Sequence, residues 1–134
     1  MRQADVLVTV TTSKTPVFDG NLLKEGTHVN AIGSFTSDAR EVDEITFRRA
    51  GKAFVHSEEA LAVGDLKVPL EVGAVKSEDI VHLADVIVGK KTGRLSDKDI
   101  SIFRSVGGAA YDAAVAATTY ELARLKHIGT EVAL

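Results

Sequence analysis

The sequence predicts an α/β fold with a parallel sheet and one long C-terminal helix, and three observations carry that prediction. Strand, loop and helix patterns alternate along the chain, the order that builds parallel sheets. Val6, Leu7, Val8 and Val10 make a β-branched-rich run that is apolar on both faces, as buried parallel strands are. Residues 109–128 contain no glycine or proline, and Tyr111, Val115, Thr118, Leu122 and Leu125 fall at the spacing of one helix face.

Length and composition set the bounds. The 134 residues suffice for one domain with its own core and are too few for two. Apolar residues make up 45% and charged residues 26%, ordinary values for a globular protein. The net charge of −3 is spread along the chain with no basic stripe, so the electrostatic footprint of nucleic-acid binding is absent. The lack of cysteine excludes disulfides, thiolate catalysis and cysteine-held metals. No apolar run approaches membrane-spanning length, and the first residues enter a strand without a signal-peptide layout. The chain reads as soluble and cytoplasmic. A buried strand lies inside a sheet, so a chain that opens on one either pairs it with later strands or lacks earlier neighbours.

The elements follow in order. Thr9, Thr11, Thr12 and Ser13 cluster at the end of the first strand, which Pro16 stops. These hydroxyls either satisfy local backbone groups in a turn or reach the ribose or phosphate of a cofactor. Residues 18–20 and 24–26 are turns flanking a short helical piece at 21–23. Residues 27–33 form the second strand, which stops at Gly33 and opens into a polar loop, 34–40. Asn30 sits awkwardly in this strand, because a buried amide costs free energy unless it is hydrogen-bonded. It either ties two loops together or touches a ligand.

Asp43 and Glu44 start a helix with acids at its positive end. Val42, Ile45 and Phe47 give it an apolar side, and Gly51 ends it. Residues 52–57 form a third strand with His56 at its end. A single histidine there is more often structural than catalytic, and no second ligand stands at metal-binding spacing. Residues 58–63 make one or two helical turns ended by Gly64, and residues 65–73, with Pro69, read as a loop. Ser77 caps a helix with Glu78 and Asp79 in its first turn. Its stripe is Ile80, Leu83, Ala84 and Ile87, closed by Gly89. Lys90, Lys91 and Arg94 lie in a small basic loop, read as a solvated turn. Residues 99–106 alternate, with Ile100, Ile102 and Arg104 at every second position, and read as a fourth strand ending at Ser105, Gly107 and Gly108. Six alanines in the first half of the last helix leave room for close packing, on its own domain or against another domain or subunit.

Three strands thus end in polar or glycine-containing turns, after Val10, Ile32 and Phe103. In a parallel sheet those ends share one edge, the edge where ligands bind. No G-x-G-x-x-G turn of a complete dinucleotide site occurs in the sequence.

Three segments carry a family resemblance: VTVTTSKTPVF at 8–18, GTHVNAIGSFTSDAREVD at 26–43 and FRSVGGAAYDAA at 103–114. In content, order and spacing they resemble the second half of the ornithine cyclodeaminase/mu-crystallin family, and the resemblance runs from about residue 4 to residue 126. It implies a partial Rossmann-like NAD(P)-binding domain. Residues 1–108 would be its second half, and residues 109–134 a C-terminal helix returning toward a separate substrate and dimerisation domain. It implies a homodimer in the full-length form, NAD or NADP as cofactor, and an amino acid or imine as substrate. Residue by residue, it places Thr11, Asn30, Ala31, Ile32 and Ser105 at the cofactor and Val106 beside the substrate.

Two departures qualify this. The segment matching the family's first half, with its glycine turn and its carboxylate-holding lysine and arginine, is not in the sequence, so the resemblance implies a fragment that is inactive alone. In addition, cyclodeaminases of the family carry an aspartate where Phe35 stands here. A phenyl ring can neither take a proton nor steady a cationic imine, and Asp38 and Glu41, the nearby carboxylates, lie farther along the loop. The expectation is an oxidoreductase of the amino-acid dehydrogenase or ketimine reductase type. The alternatives are a cyclodeaminase proper, a non-catalytic NADPH-dependent binder, or an inert chain.

Overall fold

The computed structural model describes residues 2–130 and 132. Among them are five strands: β1 (Val6–Thr9), β2 (His28–Ala31), β3 (Ala53–Val55), β4 (Ile80–His82) and β5 (Ser101–Arg104). They form one sheet in the order β1-β2-β5-β3-β4, with every pair parallel. The chain therefore leaves β2, builds the far side of the sheet, and returns to place β5 in its middle. The register aligns Thr9, Ala31, Arg104, Val55 and His82 in one row at the C-terminal ends. All five ends meet one edge, as expected for a parallel α/β sheet.

The four α-helices are α1 (Glu44–Ala50), α2 (Gly64–Glu71), α3 (Leu83–Ile87) and α4 (Ala109–Leu125), with short 3-10 turns at Gly20–Leu22, Glu58–Ala62 and Ser77–Asp79. One face of the sheet supplies Val29, Ala31, Ile102, Ala53 and Val55 to the core, where Val42, Phe47 and Leu66 meet them, all fully buried. Asp43 sets the start of α1: its carboxylate accepts from Thr46 N at 2.8 Å, Thr46 Oγ1 at 2.7 Å and Gly20 N at 2.8 Å. One residue thus caps the helix and holds the preceding turn against it. A Cβ on Gly20 would stand 2.6 Å from that carboxylate, so the close approach requires glycine.

Four sequence expectations change. Residues 65–73 are not a loop. They fall mostly in α2, which carries Pro69 inside it at the cost of one backbone bond, and Gly73, at φ +64°, follows the helix end. The helix expected after Ser77 is a 3-10 turn, then β4, then the short α3. Its stripe straddled a strand–helix junction: Ile80, Val81 and His82 pair with β3, and Ile87 is exposed. β1 is an edge strand of this sheet, not an interior one, with Val6, Val8 and Val10 exposed and Thr9 facing the core. Finally, α4 stops at Leu125, and its expected packing face is open, with Tyr111, Val115, Leu122 and Leu125 all exposed. Within the segment 109–134, residues 131, 133 and 134 lie outside the described ones, as does residue 1.

Phe47 is the largest apolar side chain buried without exposure. Phe47→Ala is expected to cost about 3–5 kcal/mol in urea unfolding; a loss under about 1 kcal/mol would contradict its place at the centre of the core.

Candidate functional site

The row at the C-terminal ends of the strands contains a charge that an apolar row would exclude. Arg104, the last residue of β5, is fully buried beside buried Asp65 and Glu41. Its Nε lies 3.5 Å from Asp65 Oδ2. Nη1 donates to Ala31 O at 2.7 Å and to Ser105 O, and Nη2 donates to Ser34 Oγ at 2.8 Å and to Ser34 O. Asp65, in the first turn of α2, accepts from Glu41 N at 2.6 Å, from Val42 N at 2.9 Å and from the Ser34 hydroxyl. The Glu41 carboxylate accepts from Gly33 N at 2.9 Å, from Thr9 Oγ1 at 3.1 Å and from Thr11 N.

Desolvation pushes the Glu41 carboxyl up, but the bonds from Thr11, Gly33 and Thr9 together outweigh it and hold the group below the ordinary glutamate range. Burial lowers the Arg104 guanidinium, opposed by Asp65 and Glu41. One buried cluster therefore ties together the loops that follow β1, β2 and β5.

Those loops carry the residues that the family resemblance singles out, and the sheet order brings them side by side. Thr11 follows β1, Ile32 follows β2, and Ser105 and Val106 follow β5. Thr11 Oγ1 accepts from Ser13 N at 3.2 Å, and Ser105 Oγ accepts from Gly107 N at 3.1 Å. Each hydroxyl uses acceptor capacity on its own turn; that of Ser105 keeps its proton as a donor, whereas that of Thr11 also faces the Glu41 carboxylate. Ile32 is 42% exposed and Phe35 is 69% exposed, and Val106 packs partly against the core. The edge thus combines a hydroxyl donor with apolar side chains.

The backbone of the β2 end is already engaged. Ala31 O accepts from Arg104 and from Ser105 N at 3.2 Å, and Ile32 N donates to Thr9 O at 3.0 Å. Asn30 turns to the opposite sheet face, where its Oδ1 lies 3.2 Å from His28 Nε2 and His28 Nδ1 lies 2.8 Å from Ser101 Oγ. It bonds within the sheet and does not tie two loops together. Its side chain lines a groove of about 400 Å³ with Phe54, Phe103 and Arg94.

Of the carboxylates near Phe35, one is buried and the other is an exposed member of a surface ion pair. Glu41 is consumed by its three donors. Asp38 pairs with Lys14 at 2.8 Å and accepts from Thr36 Oγ1 at 2.7 Å, which holds its carboxyl down at about 2. No group of three or more His, Asp or Glu among the described residues is placed to hold a metal ion, and none of the described helices is long and apolar enough to cross a membrane.

Arg104, Asp65 and the buried role of Glu41 escape a reading by motif. The signal for Arg104 is parity: it shares the strand phase of Ile100 and Ile102, so it must face the core. Glu41 and Asp65 give no such signal, because each lies just outside a regular pattern.

A sequence model described as the ornithine cyclodeaminase/mu-crystallin family matches residues 1–127. The chain is 41% identical to a Delta(1)-pyrroline-2-carboxylate reductase of Bacillus cereus, an alignment covering 98% of this chain and 41% of that protein. Among solved structures it resembles a probable ornithine cyclodeaminase from Bordetella pertussis Tohama I, at 38% identity and TM-score 0.82, covering 97% of this chain and 42% of that one. It equally resembles Delta(1)-pyrroline-2-carboxylate reductase of Thermococcus litoralis in complex with NADH and L-proline. That match has 37% identity and TM-score 0.82, and covers 98% of this chain and 41% of that one. The chain spans about two fifths of the length of these relatives.

Arg104→Leu is expected to cost about 3–5 kcal/mol, because it leaves Asp65 buried without its cation; a change within about 0.5 kcal/mol would contradict the cluster. For Glu41 the sign of the pH effect is set by its lowered value. Its contribution is fully present above the ordinary glutamate range, where the unfolded chain is also ionised, and is lost as pH falls through the lower folded value. Wild type should therefore exceed Glu41→Gln by about 1–3 kcal/mol at neutral pH. The gap should narrow with acidification in urea titrations, and a gap independent of pH would contradict the assignment.

Proposed function

The chain belongs to the ornithine cyclodeaminase/mu-crystallin family, and from that membership we propose that its strand-end edge is one wall of a nicotinamide pocket in an NAD(P)-dependent oxidoreductase acting on an amino acid or its cyclic imine. The observation that carries this is the juxtaposition of Thr11, Ile32, Ser105 and Val106 on three adjacent strand ends, with Phe35 where a cyclodeaminase needs a carboxylate. The NADH and L-proline bound to the Thermococcus litoralis relative support the same reading.

The donor set fits such a group. The Ser105 hydroxyl keeps its proton free, suited to a ribose or carboxamide oxygen, and Thr11, whose hydroxyl faces Glu41, borders it. Ile32 and Val106 offer apolar surface for a planar ring. Gly33 brings the β1 and β2 loops together: a Cβ there would lie 2.6 Å from the Glu41 carboxylate and collide with the Thr11 backbone. A bound NAD(P)H would supply hydride, and the protein would supply position and exclusion of water. In this chain Ser105 donates to the cofactor and Thr11 borders it, Ile32 and Val106 confine the ring, and Phe35 covers the substrate side. The Asn30–Ala31 backbone, locked in the sheet, keeps that wall rigid.

Phe35 cannot move a proton, and Glu41 and Asp38 are already engaged. The chain therefore favours reduction or oxidation at carbon over ammonia elimination. Residues 1–108 form the second half of the dinucleotide domain in this reading. Residues 109–134 lead back to a substrate and dimerisation domain of a homodimer, and the protein works in the cytoplasm.

Expressed from its complete reading frame, the protein is expected to oxidise NADH or NADPH in the presence of Δ1-pyrroline-2-carboxylate. Release of ammonia from ornithine without net consumption of reduced nucleotide would instead favour the cyclodeaminase. Failure to bind either nucleotide would overturn the pocket altogether. Ser105→Ala is expected to weaken NADH binding about fivefold, the loss of one hydrogen bond, measured by nucleotide fluorescence.

A further inference from the structure

His56 follows β3, next to β5 in the sheet, and its ring reaches across the strand ends. Its Nε2 lies 3.0 Å from Gly107 O. A carbonyl only accepts, so in this contact Nε2–H donates, and Ser57 Oγ stands 3.1 Å from the same nitrogen. Nδ1 is buried without a hydrogen-bond partner, a cost accepted to keep the ring in this orientation. The ring also meets Tyr111 edge to face, with centroids 5.7 Å apart and planes at 69°. Tyr111 in turn folds over Gly108, where an added Cβ would stand 3.0 Å from its ring carbons.

Ser105 is held at both backbone groups, its N–H donating to Ala31 O at 3.2 Å and its carbonyl accepting from Arg104, and Val106 packs partly on the core, but the two glycines that follow have little to hold them. Gly107 is at φ +79°, Gly108 caps α4 without a side-chain bond, and α4 buries no residue. Ser105 Oγ bonds only the turn's own Gly107 N. The His56 contacts fix this turn from a neighbouring strand.

We propose that His56 is a positioning residue for the Ser105–Val106 side of the pocket. By holding Gly107 O and the Tyr111 ring, it sets where the Ser105 hydroxyl points and where Val106 stands. Part of this rests on the nicotinamide reading above, because the positioned residues are its proposed contacts.

Two substitutions separate the hydrogen bond from mere bulk. The amide nitrogen of glutamine falls close to the place of Nε2, whereas that of asparagine falls near Nδ1 and cannot reach Gly107 O. His56→Asn is expected to shift the backbone resonances of Ser105, Val106 and Gly108, and to weaken NADH about fivefold. His56→Gln should restore both, with affinity within about twofold of wild type, while the two variants melt alike. Unchanged resonances in His56→Asn, or equal weakening by both variants, would overturn the proposal. If wild type binds no NADH, the nicotinamide reading fails, and the resonances of the two variants still decide whether His56 holds the turn.

Discussion

The fold depends on a single buried cation. Arg104 sits where a core side chain belongs, and it is tolerated because two carboxylates and four carbonyl or hydroxyl oxygens surround it. Charges buried in this way are stable only when they are paired and most of their polar atoms hydrogen-bonded. Here satisfaction requires α2 to present Asp65, the 34–41 loop to present Ser34 and Glu41, and β2 to present Ala31 O. The loop conformations at the sheet edge are therefore consequences of one electrostatic arrangement and not independent choices of local sequence.

That arrangement also limits the chemistry. A loop rich in acids and hydroxyls looks at first like a source of general acids, but its acids are occupied. Glu41 is spent on backbone N–H groups, and Asp38 is pinned to Lys14. What remains accessible at the edge is apolar surface and a hydroxyl proton. Such a surface can hold and orient a planar ring, and it has little capacity to move protons itself. The departure at Phe35 and the occupation of its neighbouring carboxylates agree.

Much of this was legible in the residues. A β-branched-rich run marked β1, the stop at Gly33 marked the end of β2, and alternation marked β5. An acidic start and a glycine stop marked α1. Parallel pairing then required the strand ends to share an edge. The reading failed where tertiary contact overrode local pattern. Ile80 to His82 carry a helical stripe, yet β3 offered them an unpaired edge. Pro69 argued for a loop, yet buried Leu66 and Asp65 made a helix there more favourable. Asn30 was ambiguous in sequence because its partner, His28, is two residues away in the same strand and becomes a neighbour only once that strand is extended. The charged cluster was hidden for a related reason: its members are far apart in the chain, and no local rule joins them.

The return of β5 to the middle of the sheet has a consequence for how the molecule comes into being. Until β5 pairs, β2 and β3 both present open edges, and the sheet is two separate pieces. Such late, long-range closure is slow, and open edges invite pairing with other chains. The strand that joins the pieces is also the one that delivers Arg104 to Asp65 and Glu41. A nascent chain that paused before residue 101 would hold two acids with no cation to sit against them, which disfavours their burial. Closure of the sheet and neutralisation of its core are thus one event, and a chain wrongly paired along β2 or β3 has no way to complete either.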